Sequence, residues 1–241
     1  MLSRKQREIQ ERHQLLLNLS RDLFIEQGYF NVTMDTIAKE AEYSKGTIYQ
    51  HFNCKECVIA ELYIRFLVLI DTLFQRVVER TDLTTKLRMT LIMEAFISVN
   101  ELCPDDINIK DLAISQTFSS KVKPEIIEQI TSLELKNTVR VIEIVKEAME
   151  QGELVTTGHA CAEDIALGCW AMGQGTFSLF NSSCLPDMMR EHSSAELVRM
   201  NTTFYLKGVG WEQAEFSAEQ QQQLAEMKQG FTETINEYIK S

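Results

Sequence analysis

The chain has 241 residues, 44% of them apolar, which suffices for a packed core and excludes a disordered chain. Three prolines and ten glycines are few for this length, which disfavours many short strands and turns and suits long helices. The net charge of −11 argues against a nucleic-acid partner only until its distribution is read. Residues 1–60 hold eight basic and eight acidic side chains, and residues 61–241 hold 16 and 27. Salt screens charges beyond about 8–10 Å, so a neutral N-terminal module can still meet phosphate if its bases share one face.

No apolar stretch of leader length follows the first basic residues. The longest apolar run, Phe66–Ile70, ends at Asp71, well short of the ~20 residues a membrane helix needs. The expectation is a cytoplasmic chain without a membrane partner. Six cysteines in a reducing compartment are expected to be mostly buried small apolar side chains.

Helical spacing predicts a first helix over 7–27, with Ile9, Leu16, Leu17, Ser20, Leu23 and Phe24 on one stripe and Gly28 ending it. Thr33 is placed to cap a two-turn helix whose inner face is Ile37, Ala38 and Ala41. Ser44 caps a third, over 45–52. Ile48 and Phe52 face inward there, and Lys45, Thr47, Tyr49, Gln50 and His51 are left outside. Asn53-Cys54-Lys55-Glu56 reads as a capping box, with Asn53 as cap and Glu56 reaching back, ahead of a long helix over about 55–80. Further helices are expected near 84–101, 105–120, 124–151, 160–181, 193–209 and 217–239, with Pro104, Pro124 and Pro186 at the breaks. The predicted fold class is all-α: an N-terminal three-helix domain over 1–54, then a larger helical domain over 55–241.

The informative stretch is 33–55. Two short helices meet at the turn Glu42-Tyr43-Ser44, and the outer face of the second carries hydroxyls, amides and bases but no acid. A phosphate-lined groove asks for such a face. Gly46 lets backbone approach a sugar-phosphate strand, and free N–H groups beside Ser44 and Lys45 can meet phosphate. A small packed corner with a solvated face would look the same on physics alone.

The run Leu17–Phe24, Gly28-Tyr29, Thr33-Met34, Ile37-Ala38, Ala41, Ser44 to Tyr49, His51-Phe52 and Lys55-Glu56 resembles the TetR/AcrR transcriptional regulators. The resemblance implies a helix-turn-helix over about 33–52 that binds double-stranded DNA. Thr33, Tyr49, His51 and Lys55 would hold phosphates, Ser44 and Gly46 would add backbone-directed contacts, and Lys45, Thr47 and Gln50 would face base edges. Two departures stand out: Glu42 replaces the turn glycine usual in the family, and Cys54 replaces a common serine cap.

The resemblance further implies a homodimer on a palindromic operator, with half-sites about 34–36 Å apart. The helices at 160–181 and 193–209 would form the interface, with Ala162, Ala166, Gly168, Ala171, Gly173 and Gly175 allowing close approach and Trp170, Phe177 and Phe180 supplying apolar area. It also implies a repressor released by an unidentified small-molecule effector bound in the body. Phe66, Leu69, Met89, Met93, Phe96, Phe118, Val141, Ile142, Val145, Met149, Trp170 and Phe177 are the pocket candidates, though each could be plain core.

Other features are less specific. Cys54-Lys55-Glu56-Cys57 is a CxxC at a helix start, read chiefly as one buried cysteine and one substituted cap, with a redox role as the alternative. His159, Cys161 and Glu163 are too close together for a tetrahedral metal site on one turn. His13 and His192 are expected at the surface. Gly173-Gln174-Gly175 lacks the third glycine of a dinucleotide motif. No nucleophile elbow or paired acids at motif spacing is present, so no enzyme, cofactor or metal is expected. The alternatives to a regulator are a helical protein–protein adaptor and a ligand carrier.

Overall fold

The computed structural model describes residues 3–240 except 114–117, 119, 157, 183, 184, 188–190 and 212–214. The fold is all-α. Among the described residues there are ten helices: α1 (Arg4–Gln27), α2 (Met34–Glu40), α3 (Lys45–His51), α4 (Lys55–Val78), α5 (Thr85–Leu102), α6 (Pro104–Ala113), α7 (Pro124–Glu150), α8 (Ala162–Asn181), α9 (Ser194–Gly208) and α10 (Ala218–Lys240). The β pairing in the described residues is one isolated antiparallel bridge, Leu154 to Trp211. No helix among them is long and apolar enough to cross a membrane.

The helix expected over 105–120 is described as far as Ala113, and the positions beyond it that fall at 114–117 and 119 lie outside the described residues. The capping box expected ahead of α4 takes another form. Glu56 does not reach back over the helix start; its carboxylate accepts from the Tyr29 hydroxyl at 3.0 Å and from Lys121 Nζ at 2.8 Å. A phenol and an ammonium offer this ionised carboxylate more than one backbone N–H could.

The chain divides into two compact units, one of residues 1–68 with 104–133, the other of 69–103 with 134–240. In the first, α1 buries Leu16, Leu17, Ser20, Leu23 and Phe24, as its spacing requires. Ile9 lies on the same stripe but is 45% exposed. Gly28 ends α1 at φ +78°, a value glycine adopts without penalty, and its N–H closes on Phe24 O at 3.0 Å. Arg21 clamps the buried Asp106 of α6 with two bonds, at 2.6 and 3.1 Å.

The second unit packs α8 on α9, and α5 against α8, α9 and α10. Ile97, Phe177, Ala195 and Val198 form a buried cluster flanked by Met93 and Phe96. The rings of Phe96 and Phe177 meet edge-on at 5.8 Å. Glu94 of α5 is buried yet charged: burial opposes its ionisation, but bidentate Arg199 and Lys228 outweigh that and hold the carboxyl below its ordinary range. Asp71 is paired with Arg140 and Lys136 of α7.

Candidate nucleic-acid interface

The site begins with two short helices that cannot stand alone, since seven residues are too few for an isolated helix. Each is started by a side-chain cap. Thr33 Oγ1 accepts from the Thr36 N–H at 3.1 Å, and Ser44 Oγ accepts from the Thr47 N–H at 3.1 Å. Ile37 and Ala38 of α2, Ile48 of α3 and Phe52 just beyond it are buried. Phe52 stacks at 4.6 Å on the ring of His13 from α1.

The turn between them fixes their angle. The Tyr43 N–H reaches back to Ala38 O at 3.1 Å and the Glu42 N–H to Lys39 O at 3.2 Å, the paired bonds that cap a helix around a residue of positive φ. That residue is Glu42, at φ +55°. The position therefore calls for glycine, and the glutamate holds the turn only under backbone strain.

With the inner face buried, the outer face is left to solvent. Thr33, Ser44, Lys45, Gly46, Tyr49 and Gln50 are exposed, while Thr47, His51 and Lys55 are half-buried. Some of these side chains already have partners. Lys45 Nζ pairs with Asp35 of α2 at 2.5 Å, which raises its pKa. Thr47 Oγ1 shares a hydrogen with Ser44 Oγ at 2.9 Å. Lys55 Nζ donates to the carbonyls of Tyr29 at 2.9 Å and Val32 at 3.1 Å, and lies 4.1 Å from the Tyr29 ring centre.

His51 Nδ1 lies 3.3 Å from His13 Nδ1, and His13 Nε2 lies 2.6 Å from a Glu61 carboxylate oxygen. His13, expected at the surface, is thus a half-buried support behind α3. The signal was its place on the stripe of Leu16 and Leu17, three and four residues on. Burial, then the neighbouring His13 and Arg12, lowers the His51 pKa. Around Tyr29, burial and Glu56 push the phenol up. Burial works against the Glu56 charge, but Lys121, its own backbone N–H and Tyr29 hold its pKa down at about 2. The sequence offered no signal for Lys121 as a partner, because 65 residues separate the pair.

The pocket candidates scatter. Phe66 and Phe118 are buried in the first unit, and Leu69, Met89, Val145 and Phe177 in the second. Met93, Phe96, Val141, Ile142 and Met149 are half-buried. Trp170 is 60% exposed on α8. A cleft of about 530 Å³ in the second unit is lined instead by Thr84, Lys86, Glu153, Trp211, Glu215 and Phe216, among others.

Two glycines expected to let a second chain approach serve the chain itself. A Cβ on Gly168 would strike Tyr205, and one on Gly173 would lie 2.8 Å from Phe96. Ala162, Ala166 and Phe177 are likewise buried within the unit. Cysteine burial is mixed: Cys57 and Cys103 are buried, Cys54 and Cys169 half-buried, and Cys161 exposed at the start of α8. Among the described residues no three His, Cys, Asp or Glu side chains group as a metal site.

Residues 16–62 match the model of the bacterial regulatory proteins, tetR family. The Transposon Tn10 TetC protein of Escherichia coli is 35% identical over 80 residues, 33% of this chain and 39% of that protein. The HTH-type transcriptional regulator UidR of Escherichia coli K12 is 34% identical over 65 residues, 27% of this chain and 33% of that one. The chain thus spans well under half the length of these curated relatives. Fold similarity runs further. A TetR/AcrR regulator from Thermobifida fusca superimposes with a TM-score of 0.63 at 18% identity, over 82% of this chain and 98% of that one. The Thermus thermophilus repressor FadR, in complex with lauroyl-CoA, superimposes at 0.59 and 16% identity, over 86% and 99%.

Two outcomes follow from the turn and the histidines. Replacing Glu42 by glycine relieves the positive φ, so Glu42→Gly is expected to stabilise the chain by about 1 kcal/mol in denaturant unfolding; a loss would show the residue unstrained. The lowered His51 pKa means the unfolded chain takes up that proton first. Stability is therefore lost as pH falls below the ordinary histidine value of about 6.5, and His51→Gln is expected to flatten that part of the pH–Tm profile. Equal slopes in both proteins would contradict the assignment.

The N-terminal segment 16–62 thus matches the tetR family of bacterial regulatory proteins, and the all-helical fold is one that solved tetR-family regulators share.

Proposed function

We propose that this chain is a sequence-specific DNA-binding transcriptional regulator, a cytoplasmic repressor released from its operator by a small molecule. One observation carries the reading. The outer face of α3 is polar and free of acid, its inner side is clamped by Ile48 and Phe52, and the whole lies inside the segment matching the tetR family. In this reading 1–54 is the DNA-binding domain and 55–241 the sensing and dimerising one. Thr33, Tyr49, His51 and Lys55 hold phosphates with help from Ser44 and Gly46, and Lys45, Thr47 and Gln50 read bases.

A single helix reads only a few base pairs, so useful specificity asks for two copies. Support for a homodimer comes from neighbouring exposed apolar rows: Leu167, Trp170 and Leu179 on α8, and Met200 and Phe204 on α9, with Phe204 64% exposed. Side chains this large are seldom left together in water on a monomer. The effector would act within 55–241, as the lauroyl-CoA complex of FadR suggests by analogy. Its candidate contacts are the buried and half-buried set around Leu69, Met89, Met93, Phe96, Val145 and Phe177. Helix α4 runs unbroken from Lys55 to Val78, so a shift of its later turns reaches its first. An effector preferring the released form 100-fold supplies about 2.7 kcal/mol of bias.

Binding to a labelled duplex from upstream of the gene, followed over a salt series, tests the DNA reading. Tyr49→Ala is expected to weaken every duplex alike by about tenfold, and Lys55→Ala to lower the salt slope by about 1. Gln50→Ala is expected to change the preference among duplexes instead. Unaltered affinity in Tyr49→Ala and Lys55→Ala sinks the contact map, and a protein that adaptor or carrier roles explain would show no salt-dependent duplex binding at all. In sedimentation, the wild type is expected at twice 27.7 kDa and the double variant Trp170→Glu, Phe204→Glu at the single mass. A wild-type monomer would remove the interface.

A further inference from the structure

Cys54 and Cys57 bracket the start of α4, one residue before its first and at its third position. The Cys57 N–H closes the turn on Cys54 O at 3.1 Å, and the two sulfurs stand 3.2 Å apart. Free sulfurs at that separation are already closer than ordinary van der Waals contact. A disulfide needs about 2.05 Å between them, so side-chain rotation can close the bond without unwinding the helix. Cys54 is half-buried and Cys57 is 3% exposed, which gives an outer thiol that an oxidant can reach and an inner one beside it. Cys54 Sγ also lies 3.7 Å from the carbonyl of Lys121, whose ammonium holds Glu56.

The two residues enclosed by the ring matter as much as the sulfurs. Lys55 ties the first turn of α4 to the carbonyls of Tyr29 and Val32, directly before the cap of α2 at Thr33. Glu56 ties the same turn to the Tyr29 hydroxyl and Lys121. Anything that reshapes residues 54–57 therefore acts on the anchor of the helix-turn-helix.

We propose that Cys54 and Cys57 form a redox modification site, closing reversibly into an intrachain disulfide under a peroxide-class oxidant, and that the closed form binds DNA more weakly. The second half rests on the DNA-binding reading above; the first does not. The Cys54 thiolate attacks the peroxide oxygen, the O–O bond breaks, and the products are a sulfenic acid on Cys54 and hydroxide, which takes up a proton as water. The Cys57 sulfur then attacks the sulfenic sulfur. The new S–S bond forms as the S–O bond breaks, and the hydroxyl leaves with the Cys57 proton as a second water. Two thiols are oxidised by two electrons and one peroxide is reduced to two waters. Two further thiols, from dithiothreitol, reverse the bond by exchange. Burial and the hydrogen bond with Cys57 push the Cys54 thiol up to about 11, so little thiolate is present near neutrality. Closure is accordingly slow, and its rate is expected to rise about tenfold per pH unit between about pH 7 and 9.

The test uses the full-length protein treated with hydrogen peroxide and digested without reduction. Trypsin cuts after Lys45, Lys55 and Arg65, so the disulfide is read as peptide 46–55 joined to peptide 56–65. The joined pair is expected in the wild type, absent from Cys54→Ser and Cys57→Ser, and lost on adding dithiothreitol. Affinity for the labelled duplex is expected to fall about tenfold on closure and to recover on reduction, while Cys54→Ser, which puts a hydroxyl in place of the thiol, holds its affinity in peroxide. Absence of the joined peptides after prolonged oxidation at about pH 9 overturns the site. Joined peptides with unchanged affinity overturn its regulatory half. A reduced protein that never binds the duplex refutes the DNA reading alone, since the peptide measurement still decides the disulfide.

Discussion

Helix α3 is seven residues long, and nothing within it can keep it folded. Its geometry is imposed from behind, where Ile48 and Phe52 are excluded from water and α2 packs alongside. Removing a buried side chain of this size costs about 2–5 kcal/mol, a large share of what a unit this small has to spare. The same burial decides the chemistry of the opposite side. Once Ile48 and Phe52 point inward, helical spacing turns Tyr49 and Gln50 outward, and Lys45 in the first turn is left exposed. A rigid polar ridge is thus a consequence of an apolar anchor, and the two cannot be varied independently.

The ridge is held at a fixed angle by devices that differ in quality. The turn at Glu42 has the correct hydrogen bonds on the wrong residue, so strain is stored beside α3. The start of α4 is the reverse case. Its capping position holds a cysteine, and the compensation is a network in which Lys55, Glu56, Tyr29 and Lys121 satisfy one another. Strain relieved at one end and a network tightened or opened at the other would each move α3 against α2.

Local rules made most of this legible. The caps at Thr33 and Ser44, the buried pair on α3, the glycine ending α1 and the order of helices follow from spacing of four residues or fewer. That Glu42 stands where a turn glycine is usual was legible too, and the positive φ shows why glycine suits the position. What escaped was set by distance along the chain. The pairing of Arg21 with Asp106, of Glu56 with Lys121 and of His13 with Glu61 joins residues 48 to 85 positions apart. No periodicity encodes such partners. The small residues of α8 misled for a related reason: Gly168 and Gly173 do permit close approach, but to Tyr205 and Phe96 of the same chain. Composition specifies that something comes near, and only the fold specifies what.

The free protein already occupies part of the ridge, and the manner of occupation separates its side chains. Lys55 gives two of its three N–H donors to carbonyls, so it can add a phosphate without surrendering a bond. Its ammonium is held in place beforehand, and the ordering entropy that a long side chain loses on binding is already lost. Lys45 is different: its partner Asp35 is an exposed carboxylate that must be exchanged for a base or a phosphate. Exchange at the surface is cheap because water screens both charges. On the proposed DNA-binding reading, Lys55 would fix position and Lys45 would adapt to sequence, a division that matches the separation of phosphate contacts from base contacts on which readout of a duplex depends.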